Sequence, residues 1–131
     1  MITKKFQHEL LGLKDDEAIE ILITIAKMAT EKTNMFEVIK ECPYTDTKKR
    51  DFFIHFCSYA IGLSTAHNMM CGIKCCECQY NKNCPLHQEM KFIGDVIYYL
   101  KTEGEEGARK FIRARINNIK RTRFESEREI L

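Results

Sequence analysis

The chain has no tryptophan, only two prolines and only six glycines in 131 residues. So few breakers exclude collagen-like and low-complexity classes. No run approaches the roughly 18 apolar residues of a membrane span, so no contact with a membrane is expected. Met1 to Leu13 carries scattered charges and His8 rather than an apolar core of signal-peptide length. No P-loop, G-x-G-x-x-G, H-E-x-x-H or G-x-S-x-G motif occurs. The reading is therefore a binding protein rather than an enzyme, with cluster-based redox chemistry as the exception. Strict apolar–polar alternation over strand length is also missing, so strands are not expected.

What is present is globular. Apolar residues make up 44% and charged residues 31%, and the length suits one domain over residues 1–131. Asp15 or Asp16 can cap a first helix. On it Ile19, Leu22, Ile25, Ala26 and Ala29 form a stripe widened by Ile21, Ile23 and Met28. A helix apolar on most sides belongs at the centre of its bundle. Phe36, Val38 and Ile39 mark a short second helix ended by Cys42-Pro43. Thr45 or Asp46 can cap a third, on which Phe53, Cys57, Ala60, Ser64, His67 and Cys71 share one stripe, expected to face the core. Pro85 opens a fourth, with Leu86, Met90, Ile93, Ile97 and Leu100 on its apolar side. Gly104 and Gly107 end it. A fifth, about 108–124, carries Ala108, Phe111, Ile112, Ile116 and Ile119. The expected fold is an all-α bundle of about five helices, with a Cys-rich loop, 71–84, between helices three and four.

Seven cysteines are the compositional oddity, and five of them, Cys71, Cys75, Cys76, Cys78 and Cys84, fall within 14 residues. Disulfide frameworks are more evenly spread and usually even in number. A clustered set points to metal ligation in a reducing, cytoplasmic setting. Cys75 and Cys78, at C-x2-C spacing, can face one ion from a tight turn. Cys84 stands at a helix start, where backbone N–H groups favour a thiolate. Cys71 completes a set of four, and Cys42, His67 and His87 are the residues that can replace one of these sulfurs. Cys76 should point away from its neighbour. Cys57 lies 14 residues before Cys71, roughly 21 Å along a helix, and reads as a core thiol unless Gly62 breaks that helix.

The C-x2-C-x5-C spacing from Cys75 to Cys84, followed by Pro85, resembles the cluster element of endonuclease III-like glycosylases, of cluster-bearing RecB-type nucleases and of WhiB-like regulators. Proline after a cluster cysteine is also frequent in ferredoxins. The match covers about a tenth of the chain and singles out no family: Asn68 stands where the glycosylases have their partner cysteine. It implies a [4Fe–4S] cluster, with one zinc ion on the same four thiolates as the alternative.

Charge is asymmetric. Residues 107–124 carry seven basic side chains and no acid, whereas the other 113 residues hold 14 basic and 19 acidic ones. Arg109, Lys110, Arg113, Asn117, Lys120, Arg121 and Arg123 form the candidate binding surface for nucleic acid or a nucleic-acid-processing complex. An acidic protein surface is the competing partner, which would make the chain an adaptor or inhibitor with a structural metal. A redox-sensing cluster protein is a third reading. The same cations can instead pair with this chain's own acids: Glu103, Glu105, Glu106 and helix one. Composition leaves the oligomeric state open.

Overall fold

The computed structural model describes residues 4–32, 34–70 and 85–130, with side chains over 8–32, 34–65 and 91–122. Among the described residues the chain is all-helical, with no strand. A 3₁₀ segment, Lys4–Leu11, precedes four α-helices: α1 (Asp15–Glu31), α2 (Met35–Lys40), α3 (Thr47–Met70) and α4 (Pro85–Ile130).

Local chemistry sets the ends of these helices. Neither Asp15 nor Asp16 caps α1. Lys14 stands at that position, and its N–H donates to the Glu17 carboxylate at 3.1 Å. Both aspartates lie inside the first turn, where they face the positive end of the helix dipole. Asn34 caps α2, its side chain accepting from the Glu37 N–H at 3.1 Å. Asp46 caps α3 in the same way, accepting from the Lys49 N–H at 3.0 Å. Gly12, at φ 81°, closes the 3₁₀ segment, and its N–H donates to the Glu9 carbonyl. That turn delivers Leu13 into the core.

α1 is central, as its pattern requires. Ala18, Ile19, Ile21, Leu22, Ile23, Ile25 and Ala26 are all buried, and each large side chain contributes roughly 1.5–3 kcal/mol by leaving water. Around it stand Val38 from α2, Phe52, Phe53, Phe56 and Cys57 from α3, and Phe92, Val96, Ala108, Ile112 and Ile116 from α4. The core stripe of α3 stops sooner than its spacing implies: from 58 to 65 no side chain is fully buried, and Ser64 is exposed. α3 is 24 residues long against 17 for α1.

The expected fourth and fifth helices form one element of 46 residues, interrupted by a non-helical Gly104 at φ 75°, ψ −172°. A straight helix would hold residues 92 and 111 roughly 28 Å apart. Instead the Phe92 and Phe111 rings stack with centroids 5.8 Å apart, and Tyr99 stacks on Phe111 at 4.9 Å. α4 is therefore folded back on itself, with arms before and after Gly104 lying side by side. Only glycine adopts that φ/ψ pair readily.

Gly104→Ala meets no neighbouring atom, so its cost is backbone strain alone. It should lower stability by about 1–3 kcal/mol. Gly94, helical and equally open, is the control: Gly94→Ala should be neutral or stabilise by up to about 1 kcal/mol. Urea midpoints of the two variants check both.

Candidate metal segment and nucleic-acid interface

The five clustered cysteines, Cys71, Cys75, Cys76, Cys78 and Cys84, lie outside the described residues, as do the side chains of His67 and His87. The described helices bracket them. α3 runs unbroken through Gly62 to Met70, one residue before Cys71, and α4 opens at Pro85, one residue after Cys84. The two helices meet in the core through Phe56 and Phe92, whose ring centroids are 6.3 Å apart. Cys57 is wholly buried on α3. Burial, with Cys42 nearby, pushes its thiol up to about 12. It is a neutral core thiol, and Cys42 packs half-buried against the same core.

The basic arm divides into three faces. On one, the arm docks on the acidic half of α1. Arg109 forms a two-pronged pair with Glu20, Nε to Oε1 at 2.6 Å and a second nitrogen to Oε2 at 3.3 Å, and also bonds Glu106. Arg113 pairs with Asp16. Lys120 bridges Asp15 at 2.7 Å and Glu9 at 2.9 Å. Lys27 of α1 returns the contact by pairing with Glu105. Three of the seven candidate binding residues are thus engaged inside the molecule.

The second face looks outward. Lys110, Ala114, Asn117 and Arg121 are spaced four, three and four apart and are all exposed. Arg121 donates to the Asn118 side chain at 2.7 Å, and Lys110 forms no ion pair among the described residues. The side chain of Arg123 lies outside the described residues. The third face meets the first arm of α4, where the Arg115 guanidinium lies 5.6 Å from the ring centroids of both Phe92 and Phe111.

Two features have no sequence signal. His8 is 1% exposed, its Nε2 is 2.8 Å from Asp15 Oδ1, and its Nδ1 has no partner. It packs edge-on against Phe52 at 5.9 Å. His8, Glu9 and Asp15 bring three potential ligand atoms together, but the Lys120 ammonium already supplies that cluster's cation. The other is the adjacent pair Tyr98 and Tyr99, which only the fold-back at Gly104 brings beside the basic arm. A separate open groove of about 420 Å³ is lined by Leu10, Leu11, Asp51, Ile54 and His55, with no lysine or arginine among those described. Among the described residues, no helix is long and apolar enough to cross a membrane.

Asp15 should be the keystone of the docked face. Burial alone would raise its pKa, but hydrogen bonds from Lys120 and His8 outweigh it and hold the carboxyl below its ordinary value. A depressed carboxyl contributes stability that is present above its unfolded pKa and lost as pH falls through the folded one, so this loss falls below about pH 4. Asp15→Ala also leaves buried His8 without its partner and should cost about 1–3 kcal/mol at pH 7. Asp16→Ala, at an exposed pair, should cost a small fraction of that. Urea denaturation at pH 7 and pH 3 measures both, and the gap between parent and Asp15→Ala should narrow at the lower pH.

Comparison of the chain with protein-family models, with curated proteins and with solved structures yields no match, so its functional reading rests on its own residues and their arrangement.

Proposed function

We propose that this is a small metal-binding protein, with four thiolates holding a [4Fe–4S] cluster or one zinc ion, that binds nucleic acid through the outward side of the second arm of α4. The observation that carries the reading is the division of the cations. Arg109, Arg113 and Lys120 hold the arm on α1, and this leaves Lys110, Asn117 and Arg121 as a regular exposed stripe on the adjacent side, about a quarter turn away. A phosphate backbone is a natural partner for donors repeated along one helix face.

The metal half rests on the cysteines and their anchoring. Cys71, Cys75, Cys78 and Cys84 belong to a segment that leaves α3 and re-enters α4, two helices packed on each other. Four thiolates from such a segment make a closed, structural type of site. The bound group supplies a cross-link and, if it is a cluster, an electron-transfer centre. Free thiols at Cys42 and Cys57 suit a reducing, cytoplasmic setting. No catalytic constellation stands on the described surface, and the proposal is a binding or regulatory role.

A protein-binding adaptor is the second reading, favoured by the neutralisation of three of the seven candidate residues within the fold. Salt dependence separates the two. Each phosphate contact on duplex DNA contributes about −0.9 to the slope of log K against log salt, and on a single strand about −0.7. Two or three contacts from the outward stripe predict a slope of roughly −2. Lys110→Ser with Arg121→Ser should flatten that slope and leave the urea midpoint nearly unchanged. Arg109→Ser with Arg113→Ser should do the reverse. A protein interface instead predicts loss on one or two arginines with a weak salt slope.

The metal is checked independently. Cys75→Ser, Cys78→Ser or Cys84→Ser should strip it and loosen the α3–α4 junction, whereas Cys76→Ser should retain it. Metal loss from Cys76→Ser, with retention in Cys71→Ser, would overturn the ligand set. Protein prepared without oxygen should be brown and contain iron and sulfide. A colourless preparation with about one zinc per chain selects the zinc alternative.

A further inference from the structure

Resting on the nucleic-acid reading above, we infer that the outer face of the folded-back α4 is a stacking surface for unpaired bases, so that the partner is single-stranded nucleic acid. The argument starts at Tyr98, which is 61% exposed within a regular helix. It sits edge-on against Tyr99, with centroids 5.5 Å apart and planes at 80°. Tyr99 stacks on Phe111 at 4.9 Å and 25°, and Phe111 on Phe92 at 5.8 Å and 26°. Phe92 is 1% exposed and meets Phe56 in the core. The exposed ring is the outer end of an aromatic column rooted in the hydrophobic core and spanning both arms. A ring packed on one side against such a column has less conformational entropy to lose on binding than a free one.

Cations on both arms of α4 favour a polyanion near this column. Lys101 follows Tyr98 by one helical turn, Lys110 precedes Phe111 on the other arm, and both are exposed with no ion pair among the described residues. Arg115 adds its guanidinium beside the column, 5.6 Å from two of its rings. The neighbouring acids are mostly neutralised within the fold: Asp95 by Lys91 at 3.7 Å, Glu105 by Lys27, and Glu106 by Arg109. Among the described residues, Glu103 is the acid in this stretch for which no ion pair is formed. Stacking on a protein ring requires a base whose face is not covered by its neighbours, which a single strand offers and a duplex interior does not.

The test uses fluorescence anisotropy at low salt with the metal-loaded full chain. The probes are labelled oligothymidylate, oligouridylate, an abasic strand of equal length, and a duplex. Tyr98→Leu should weaken binding to oligothymidylate roughly 5- to 100-fold, and Tyr98→Phe should stay within about twofold of the parent. Neither change should alter the salt slope or the affinity for the abasic strand, and circular dichroism should show the same helicity. A preference between the thymidylate and uridylate strands assigns DNA or RNA. A Tyr98→Leu protein that binds oligothymidylate as tightly as the parent, or loses as much on the abasic strand, overturns the stacking surface. Tighter binding to duplex than to single strand overturns the single-strand assignment while leaving the nucleic-acid reading intact. No binding to any of the probes overturns the nucleic-acid reading itself.

Discussion

α1 is apolar on nearly every side, and burying it constrains the rest of the fold. Seven of its 17 residues are buried, and they occur consecutively or nearly so rather than on a narrow stripe. A single neighbouring helix covers only one face of such a cylinder. α2 and α3 supply Val38 and a cluster of three phenylalanines. The remaining side is closed by α4, and α4 brings both its arms to the core only because it turns back at Gly104. One glycine with a backbone geometry closed to other residues is therefore the hinge on which coverage of the central helix depends.

Hydrophobic burial is nearly indifferent to the rotation and register of one helix on another. Charges are not. The paired acids of α1 are Asp15, Asp16 and Glu20, and their partners on the second α4 arm are Lys120, Arg113 and Arg109. As one series ascends the other descends, which is the order required of two helices running in opposite directions. Lys27 with Glu105 extends the seam with the signs exchanged. Most of these pairs are solvent-exposed and individually contribute little stability. Their effect is selection: a shifted or inverted arm would set like charges opposite each other or leave them unpaired. At the enclosed end of the seam, His8, Asp15, Lys120 and Glu9 form a connected network, and there the consequence of losing one member is largest.

The same seam reshapes the functional surface. The segment 107–124, with seven cations and no acid, looks like a uniform polyelectrolyte, yet the fold treats its faces differently. One side docks, one side meets the aromatic column, and one side stays exposed. The cysteine segment is joined to this arrangement through α3 and α4, whose ends lie beside Cys71 and Cys84. Through that covalent path, the segment that carries the cysteines and the first α4 arm belong to one continuous stretch of chain.

Helicity, the centrality of α1, the cap at Asp46 and the break at Gly104 were all legible in the sequence, because each follows from local rules: periodicity, capping chemistry and backbone sterics within a few residues. The clustering of five cysteines was equally plain, although their arrangement in space lies beyond the described residues. Other features were decided by contacts between residues far apart in the chain. Spacing alone carried the α3 stripe on to Cys71, but Ser64 is exposed, because a stripe is buried only where another element covers it. Asp15 resembled a cap and is instead a partner of His8 and Lys120, the latter 105 residues away. Arg109, Arg113 and Lys120 looked equivalent to Lys110 and Arg121, and only their position facing α1 sets them apart. Tyr98 and Tyr99 carried no signal, since a ring becomes part of a column only when another segment folds against it. Sequence determined which segments are helical and where they bend. Tertiary structure decided which charges and rings remain free, because Coulomb and stacking energies depend on distance in space and not on distance along the chain.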